Sequence, residues 1–529
     1  MLYNILLSSV AFFLMIGTEL IFNLINNIPS TVPTKNYFAL WIFIFIFSFI
    51  RNKSWRILAM NLLYFLSLFQ MIHILFYGIP VYPNAIFLFF TESSEVFYTL
   101  IENLGIMIFP ILSVVGGLAA IIYLDIKTEH KRKSIPYLYF LFILYFVYNP
   151  VRTYTTGNTW GRQPSVEEFM GTNIYLSSSY FLGRILPHKF TKTKHETSTK
   201  TLLTFKKTQP FKGDIILVLG ESLSYNHLSL FGYTRDTTPY LKSLSEHFYS
   251  FKGISSGVST DVSVALFMNN TFGLEGSKDI LSGKSCLFTL AKKNKFETYY
   301  YSSQSQQQLR YISASICPKS IDHYLTLEDL EPNIENPNMA NDQKLIEAFA
   351  KIEDKPGKFI ILHQRGSHSP YKLRYQKEHF PLTQDYEKDR VLHYDNSVFE
   401  FDLFMKELIQ TVEVRKTPTL IIYLSDHGEG LGEEGVWGHA ALKRPSFEIP
   451  VLFYLSHFSD KKFEELPSIL THLNISLLIS QYLGFETEIA PKDIIREYQI
   501  LGNDLDGFAG YLDIEIGSDK IEKIQEKQI

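Results

Sequence analysis

Residues 425–439 read Ser-Asp-His-Gly-Glu-Gly-Leu-Gly-Glu-Glu-Gly-Val-Trp-Gly-His. Asp426 offers a hard oxygen and His427 an imidazole nitrogen, a pairing that suits a borderline divalent metal such as zinc. They follow Leu420–Leu424, an apolar run that reads as a buried strand. The glycines let the backbone turn tightly and approach a bound group, and His439 closes the segment. Three other segments follow predicted strands or lie near them. They are Gly220-Glu221-Ser222, the stretch Gly257-Val258-Ser259-Thr260-Asp261-Val262-Ser263, and His363-Gln364-Arg365-Gly366-Ser367-His368. Carboxylates, a hydroxyl cluster and histidines are the inventory for a metal that lowers a hydroxyl's pKa and braces a transferring phosphoryl group. Singly, each has a plainer reading. A Glu after a strand is solvated or partners a helix cap, a Ser/Thr cluster caps a helix, and a His beside Gly is structural. The joint occurrence carries the inference.

These residues need a scaffold, and from Asp214 the chain alternates. Ile215–Leu219, Thr298–Tyr301, Phe359–Leu362, Thr419–Leu424 and Pro450–Leu455 are strand candidates, with helical patterns at Asp342–Ile352 and Asn396–Val412 between them. Alternation of this kind predicts an α/β domain over 213–529, with a mostly parallel sheet covered on both faces. Ligands then sit beyond the carboxyl ends of the strands. No internal repeat is visible, and the charged tail from Gly517 is expected to fray.

The beginning of the chain has another character. Apolar stretches at roughly 2–24, 36–50, 57–77, 104–124 and 135–151 predict five spans and an α-helical transmembrane domain over 1–151. The second is short and flanked by Lys35 and Arg51. No Lys or Arg precedes Lys35, and no small-residue cleavage site follows the first stretch, so it does not read as a cleavable signal. Arg51, Lys53 and Arg56 lie between spans two and three, and Lys127, Lys131, Arg132 and Lys133 between spans four and five. The positive-inside rule puts those loops and the N-terminus in the cytoplasm, with everything after span five outside. Residues 152–212 read as a connector, with Phe169–Leu186 suited to a membrane surface. The formal net charge of −4 over 529 residues, without a basic stripe, argues against nucleic acid. The two cysteines, Cys286 and Cys317, fall in the outside portion, where a bridge and a pair of free thiols are both open.

The motifs also carry a family resemblance. Asp214–Leu241, DIILVLGESLSYNHLSLFGYTRDTTPYL, resembles the start of the catalytic domain of bacterial phosphoethanolamine transferases. These are membrane-anchored members of the alkaline phosphatase and sulfatase superfamily. The match runs through Gly220, Glu221, Ser222, Gly232, Tyr233, Arg235, Thr237, Thr238 and Pro239. It continues in His363–Pro370, in Tyr394-Asp395-Asn396-Ser397 and in Ser425–His439.

The resemblance implies an alkaline-phosphatase-like α/β/α sandwich and a zinc enzyme, with manganese the less favoured metal. It implies Glu221, Asp426, His427 and the oxygen of Thr260 as metal ligands. Thr260 would be the nucleophile and Ser222 a flanking residue, while His368 and His439 would contact the substrate phosphate or a second metal. The implied reaction takes phosphoethanolamine from phosphatidylethanolamine through a threonine ester, releases diacylglycerol, and delivers the group to lipid A, a core sugar or another envelope acceptor. The implied setting is a monomer in the inner membrane with its catalytic domain in the periplasm. The sequence departs from better-known members in having Ser256-Gly257 ahead of the nucleophile, few cysteines, and no lysine in Ser302–Gln307. Two alternatives are a glycerol-phosphate transferase using phosphatidylglycerol and an inactive membrane scaffold. A sulfatase would need Cys/Ser-x-Pro-x-Arg after a strand, which is not found.

Overall fold

The computed structural model describes residues 1–529 apart from 27, 29–31, 78–80, 82, 84–85, 87–88, 90–99, 102–103, 157–168, 188–202, 278–279, 310–311, 506, 508–509 and 528–529. The chain divides into two compact units, Met1–Thr193 and Lys194–Ile529.

The first unit is helical. Its elements are α1 (Leu2–Ile25), α2 (Thr34–Phe47), α3 (Lys53–Tyr77), α4 (Leu104–Thr128), α5 (Tyr139–Thr156) and α6 (Met170–Tyr180). Among the described residues three helices are long and apolar enough to cross a bilayer: Leu2–Ile25, Lys53–Phe76 and Leu104–Lys131. The expectation of five spans is therefore met in full only at these three. At 14 residues, α2 extends roughly 21 Å, short of a hydrocarbon core of about 30 Å. Asn149, Pro150 and Arg152 interrupt the apolar character of α5. The N-terminus and both basic turns meet at one end of the unit. Asn4 Nδ2 donates to the carbonyls of Ser48 and Lys133, each at 3.1 Å. Buried Asp125 accepts from Arg56 at 2.8 and 3.0 Å and from Arg132 at 2.7 Å. α6 packs on α3 and α5, and its Tyr175 hydroxyl donates to the Tyr145 carbonyl at 2.8 Å.

The second unit is built on an eight-stranded sheet. Its strands are β1 (Asp214–Gly220), β2 (Phe248–Ile254), β3 (Glu297–Ser302), β4 (His323–Leu325), β5 (Lys358–His363), β6 (Thr419–Ser425), β7 (Glu448–Ser456) and β8 (Ile469–Thr471). The spatial order is β8-β2-β7-β6-β1-β5-β3-β4, and only β7 runs against the rest. Every residue of β1 is buried because both faces are covered, as a continuous apolar run in a parallel sheet requires. Ile215, Leu217 and Leu219 pack with α8 (Leu287–Lys293) and α11 (His472–Tyr482). Ile216 and Val218 face α9 (Gln343–Phe349) and α10 (Tyr386–Glu413).

Every strand expected from sequence is present, and three more join them. β2 contains Lys252 and Gly253, which hide its strand character, while β4 and β8 are only three residues long. α10 starts well before Asn396, because its first turns are mostly charged and give no apolar stripe. The tail is a correction. Ile521–Lys527 does not fray; it pairs with Tyr511–Ile516, which pairs with Glu497–Leu501. Its charges lie on an exposed edge, where Lys523 meets Glu515 at 2.8 Å, while Ile521 packs into a buried cluster with Ile514 and Ile516. Cys286 and Cys317 are free thiols packed in one core cluster.

Candidate active site

The central strands deliver the chemistry to one edge of the sheet. β1 ends at Gly220, β6 at Ser425 and β5 at His363, so Glu221, Asp426 and the loop to His368 emerge side by side from three parallel strands. Thr260 is the first residue of a nine-residue helix, α7 (Thr260–Met268). The amides of Val262 and Ser263 already bond back to the Ser259 carbonyl.

The structure brings Glu221, Thr260, Asp426 and His427 together. Thr260 Oγ1 lies 3.2 Å from each carboxylate oxygen of Glu221 and 3.3 Å from His427 Nε2. His427 Nε2 is 3.3 Å from Glu221 Oε1 and 3.4 Å from Asp426 Oδ2. One ligand atom each from Glu221, Asp426 and His427 falls within 4.8 Å of the others. All three are buried, and Asp426 Oδ2 has no hydrogen-bond partner.

The electrostatics are those of a cation site. Burial favours neutral His427, yet Asp426 and Glu221 raise its pKa to about 10. Burial, then the charge of Glu221, pushes Asp426 up to about 6. Burial also opposes the charge of Glu221, but the hydrogen bond and charge of His427, with His368 and Arg365 beyond, hold that carboxyl well below its usual range. A nest of buried oxygens that traps a proton on an imidazole meets the same demand with a metal ion. His427 Nδ1 lies 2.9 Å from the Gly428 carbonyl. Donation there leaves Nε2 as the lone pair facing Glu221 and Asp426, the usual outer support of a metal-bound histidine. The residues present therefore fit a divalent metal such as zinc.

His439 and His368 flank this centre. The His427 and His439 rings are 4.3 Å apart, and His439 and His368 5.4 Å. His439 Nδ1 is 3.0 Å from Glu429 Oε2, and Glu429 Oε1 accepts from the Tyr371 hydroxyl. His427, Glu429 and His439 form a second group of ligand atoms within 4.8 Å. Sequence reasoning gave Glu429 no role, although its place two residues past His427 was a usable signal. Gln304 was also missed. It is buried and donates to Glu221 Oε2 at 3.1 Å, a neutral amide in the stretch where a lysine was sought.

Backbone contacts fix the loops. Ser222 adopts φ 58°, and its amide donates to Asp426 Oδ1 at 3.1 Å. Its hydroxyl faces Glu221 Oε1 at 3.0 Å. The buried Tyr394 hydroxyl accepts from the Ser224 amide at 2.7 Å and donates to the Ser222 carbonyl at 2.8 Å. Gly366, at φ 56°, lies so close that a Cβ would come within 2.6 Å of the Glu221 carbonyl oxygen. The Thr260 loop is held from the C-terminal sheet. Leu501 N donates to Ser256 O at 3.0 Å and Val258 N to Leu501 O at 3.2 Å. Ala440, next to His439, donates its amide to Val258 O at 3.0 Å.

The Gly232–Pro239 motif turns out to be scaffolding. Asp395 accepts from Arg235 at 2.6 Å and from Tyr233 at 3.0 Å, and pairs with His227 Nδ1 at 2.9 Å. Thr237 Oγ1 donates to the His227 carbonyl at 2.6 Å. The two motifs, far apart in sequence, are one clamp behind the Glu221 loop.

With this geometry in view, comparison with known proteins places the domain. Residues 214–474, within the second unit, match the family model described as Sulfatase. The particular likeness is narrower. The chain is 24% identical over 409 residues to phosphoethanolamine transferase EptA of Helicobacter pylori, covering 72% of this chain and 73% of that one. It is 26% identical over 257 residues to the Kdo(2)-lipid A phosphoethanolamine 7''-transferase of Escherichia coli K12, covering 46% and 44%. The chain thus spans less than half of that second relative's length. The solved integral membrane protein lipooligosaccharide phosphoethanolamine transferase A of Neisseria meningitidis shares the fold. Its TM-score is 0.58 at 18% identity, over 93% of this chain and 96% of that one. The resemblance read from the motifs therefore holds.

Proposed function

We propose that this chain transfers phosphoethanolamine from phosphatidylethanolamine to an envelope acceptor, lipid A or a core sugar foremost, with Thr260 as the nucleophile. The observation that carries the reading is the position of Thr260 Oγ1, within 3.3 Å of both Glu221 oxygens and of His427 Nε2. Zinc held by Glu221, Asp426 and His427 would lower the pKa of that hydroxyl and neutralise charge on the phosphoryl oxygens. Thr260 Oγ1 attacks phosphorus, the bond to the diacylglycerol oxygen breaks, and a phosphoethanolamine-threonine ester remains. We assign the proton taken up by the leaving alkoxide to His368 or His439, and the proton lost by the Thr260 hydroxyl passes to solvent. An acceptor oxygen then attacks in line and restores Thr260. The amides at the start of α7 add positive potential where the phosphoryl oxygens gather. A lipid donor accounts for a helical unit that anchors the enzyme. We propose that α2 and α5 cross as shorter or less apolar helices beside the three long ones, making five spans, with a cytoplasmic N-terminus and a periplasmic catalytic domain.

Thr260→Ala should abolish transfer from labelled phosphatidylethanolamine by the full-length protein in detergent, while Ser222→Ala should keep most of it. Full activity in the first variant and loss in the second would overturn the assignment. Metal analysis should find about one tightly held zinc, and a metal-free protein that still transfers would sink the mechanism.

A further inference from the structure

Thr260 hangs on a short irregular loop, residues 255–259, between β2 and α7. A displacement of about 1 Å at a reacting group costs about 100-fold in rate, so the placement of this loop matters to the chemistry. One side chain reaches it from behind. His472 follows β8, which runs parallel to β2 and sets Thr471 opposite Ile254. It opens α11, whose start is fixed by a capping box between Thr471 and Asn474. Asn474 Nδ2 also donates to the carbonyls of Pro491 and Asp493, both at 2.9 Å. The backbone that carries His472 is therefore anchored independently of the loop.

The buried ring of His472 has a contact on each side of the site. Ser256 N donates to Nδ1 at 3.2 Å, and the Ser256 hydroxyl lies 3.1 Å from the same nitrogen. Nε2 lies 3.2 Å from the Ser425 carbonyl. A main-chain N–H only donates, so Nδ1 carries the lone pair and the ring proton sits on Nε2, donated to Ser425. His472, Ser256 and Ser425 are all buried. Burial, reinforced by the charge of His427 and opposed by the Ser425 bond, lowers the His472 pKa to about 3, so the ring is neutral. Ser256 precedes Thr260 by four residues, and Ser425 directly precedes Asp426. One neutral imidazole thus ties the nucleophile's loop to the strand that presents a ligand candidate. α11 also holds the far end of α7. Ser480 Oγ donates to Asn270 Oδ1 at 2.9 Å, and Val264 and Phe267 share a core cluster with Ile475 and Ile479.

We propose that His472 is a positioning residue, which sets Thr260 against the metal ligands by holding Ser256. The inference rests on the transferase reading above. The two ring nitrogens divide the task. The Ser425 carbonyl stands at the end of a central strand and takes the Nε2 proton, which fixes the tautomer. Nδ1 is thereby left to accept the loop amide. Without that acceptor the Ser256 amide is orphaned, and the loop shifts to find another partner. Thr260 moves with the loop. Glu221, Asp426 and His427 stay, because they follow directly from β1 and β6.

The test uses the full-length protein in detergent. Asn places a carbonyl oxygen where Nδ1 stands, and Gln places an amide nitrogen near Nε2, so each variant keeps one contact. His472→Asn should keep the hold on Ser256 and most of the rate of diacylglycerol release from phosphatidylethanolamine. His472→Gln should lower kcat by about 100-fold, with the donor KM and zinc affinity unchanged. Hydrogen exchange across residues 255–263, read by mass spectrometry on the metal-stripped protein, should match the unaltered protein in His472→Asn and run faster in His472→Gln. A role in stability alone would lower the melting temperature of both variants and leave kcat per folded molecule the same. Equal kcat in the two variants, or a fall in His472→Gln without faster exchange, overturns the proposal. If His472→Gln does not fold, His472→Asn decides, and a hundredfold loss of kcat there overturns the proposal as well. If the unaltered protein releases no diacylglycerol, the transferase reading fails, while the exchange measurement still decides whether His472 holds the Thr260 loop.

Discussion

Tyr394→Phe tests whether the scaffold behind Glu221 sets the metal site. The ring of Tyr394 is fully buried and would stay in place. Only the hydroxyl goes, and with it the partner of the Ser224 amide at 2.7 Å and of the Ser222 carbonyl at 2.8 Å. If the loop holds still, two buried backbone groups are orphaned. Each costs roughly 1–3 kcal/mol, so about 2–6 kcal/mol of stability is lost. If the loop moves to find new partners, less stability is lost, but Ser222 carries the strain. Its amide holds Asp426 Oδ1 at 3.1 Å, and Glu221 precedes it in the chain. Loss of such outer support lowers metal affinity by about 10–100-fold, or roughly 1.4–2.8 kcal/mol. The two readouts are therefore complementary: the smaller the loss of stability, the larger the loss of zinc affinity should be. Stability is read by pulse proteolysis of the metal-stripped full-length protein, and affinity by zinc competition with a chelator. A variant with unaltered stability and unaltered zinc affinity would refute the claim that Tyr394 orders the ligand loop.

Other consequences follow from the same contacts. Gly366→Ala places a methyl 2.6 Å from the Glu221 carbonyl oxygen at a φ of 56°. It should cost about 1–3 kcal/mol and reduce zinc affinity, measured by the same competition assay. Truncation after Gly517 removes the strand Ile521–Lys527 that covers Ile514 and Ile516. Melting should fall by about 5–10 °C, and transfer should drop, because Leu501 in the same sheet braces the Thr260 loop. His472 is buried, and burial, with the charge of His427, lowers its pKa to about 3. The unfolded chain takes up that proton near 6.5, so His472 contributes stability that is full above about pH 6.5 and is lost as pH falls toward 3. The slope is at most about 1.4 kcal/mol per pH unit, and His472→Gln should flatten unfolding free energy against pH between 6.5 and 4.5 by that amount.

The strands of the sheet centre could be read from sequence because β1, β5 and β6 are covered on both faces and must be apolar throughout. For the same reason the ligand candidates were legible, since Glu221 and Asp426 stand one residue past the ends of such runs. The peripheral pieces lacked that signal. Ile521–Lys527 is an edge strand, and its charges, which looked like a frayed tail, are what an exposed edge carries to avoid pairing with other chains. Helices able to cross a bilayer were legible only where length and apolarity coincide. α1, α3 and α4 satisfy both, whereas α2 lacks length and α5 lacks uniform apolarity.

The deeper gap concerns which motif residues act and which support. In sequence, Tyr233, Arg235, Thr237 and Asp395 looked as significant as Glu221, because a motif records constraint and does not say what kind. Distances separate the two. Both oxygens of Asp395 are engaged, Oδ2 by Arg235 and Tyr233 and Oδ1 by His227. Asp426, equally buried, keeps one oxygen without a hydrogen bond. A buried carboxylate with full partners stabilises a fold, and one left short beside an imidazole and a second carboxylate is built to be completed by a cation. That contrast predicts opposite behaviour for two isosteric changes. Asp395→Asn leaves Arg235 and His227 without their counter-charge and should cost stability of the metal-free protein by about 2–4 kcal/mol. Asp426→Asn relieves crowding among Glu221, Asp426 and His427 and should leave that stability equal or higher while zinc binding collapses. If both variants destabilise the metal-free protein alike, the division between clamp and ligand is wrong.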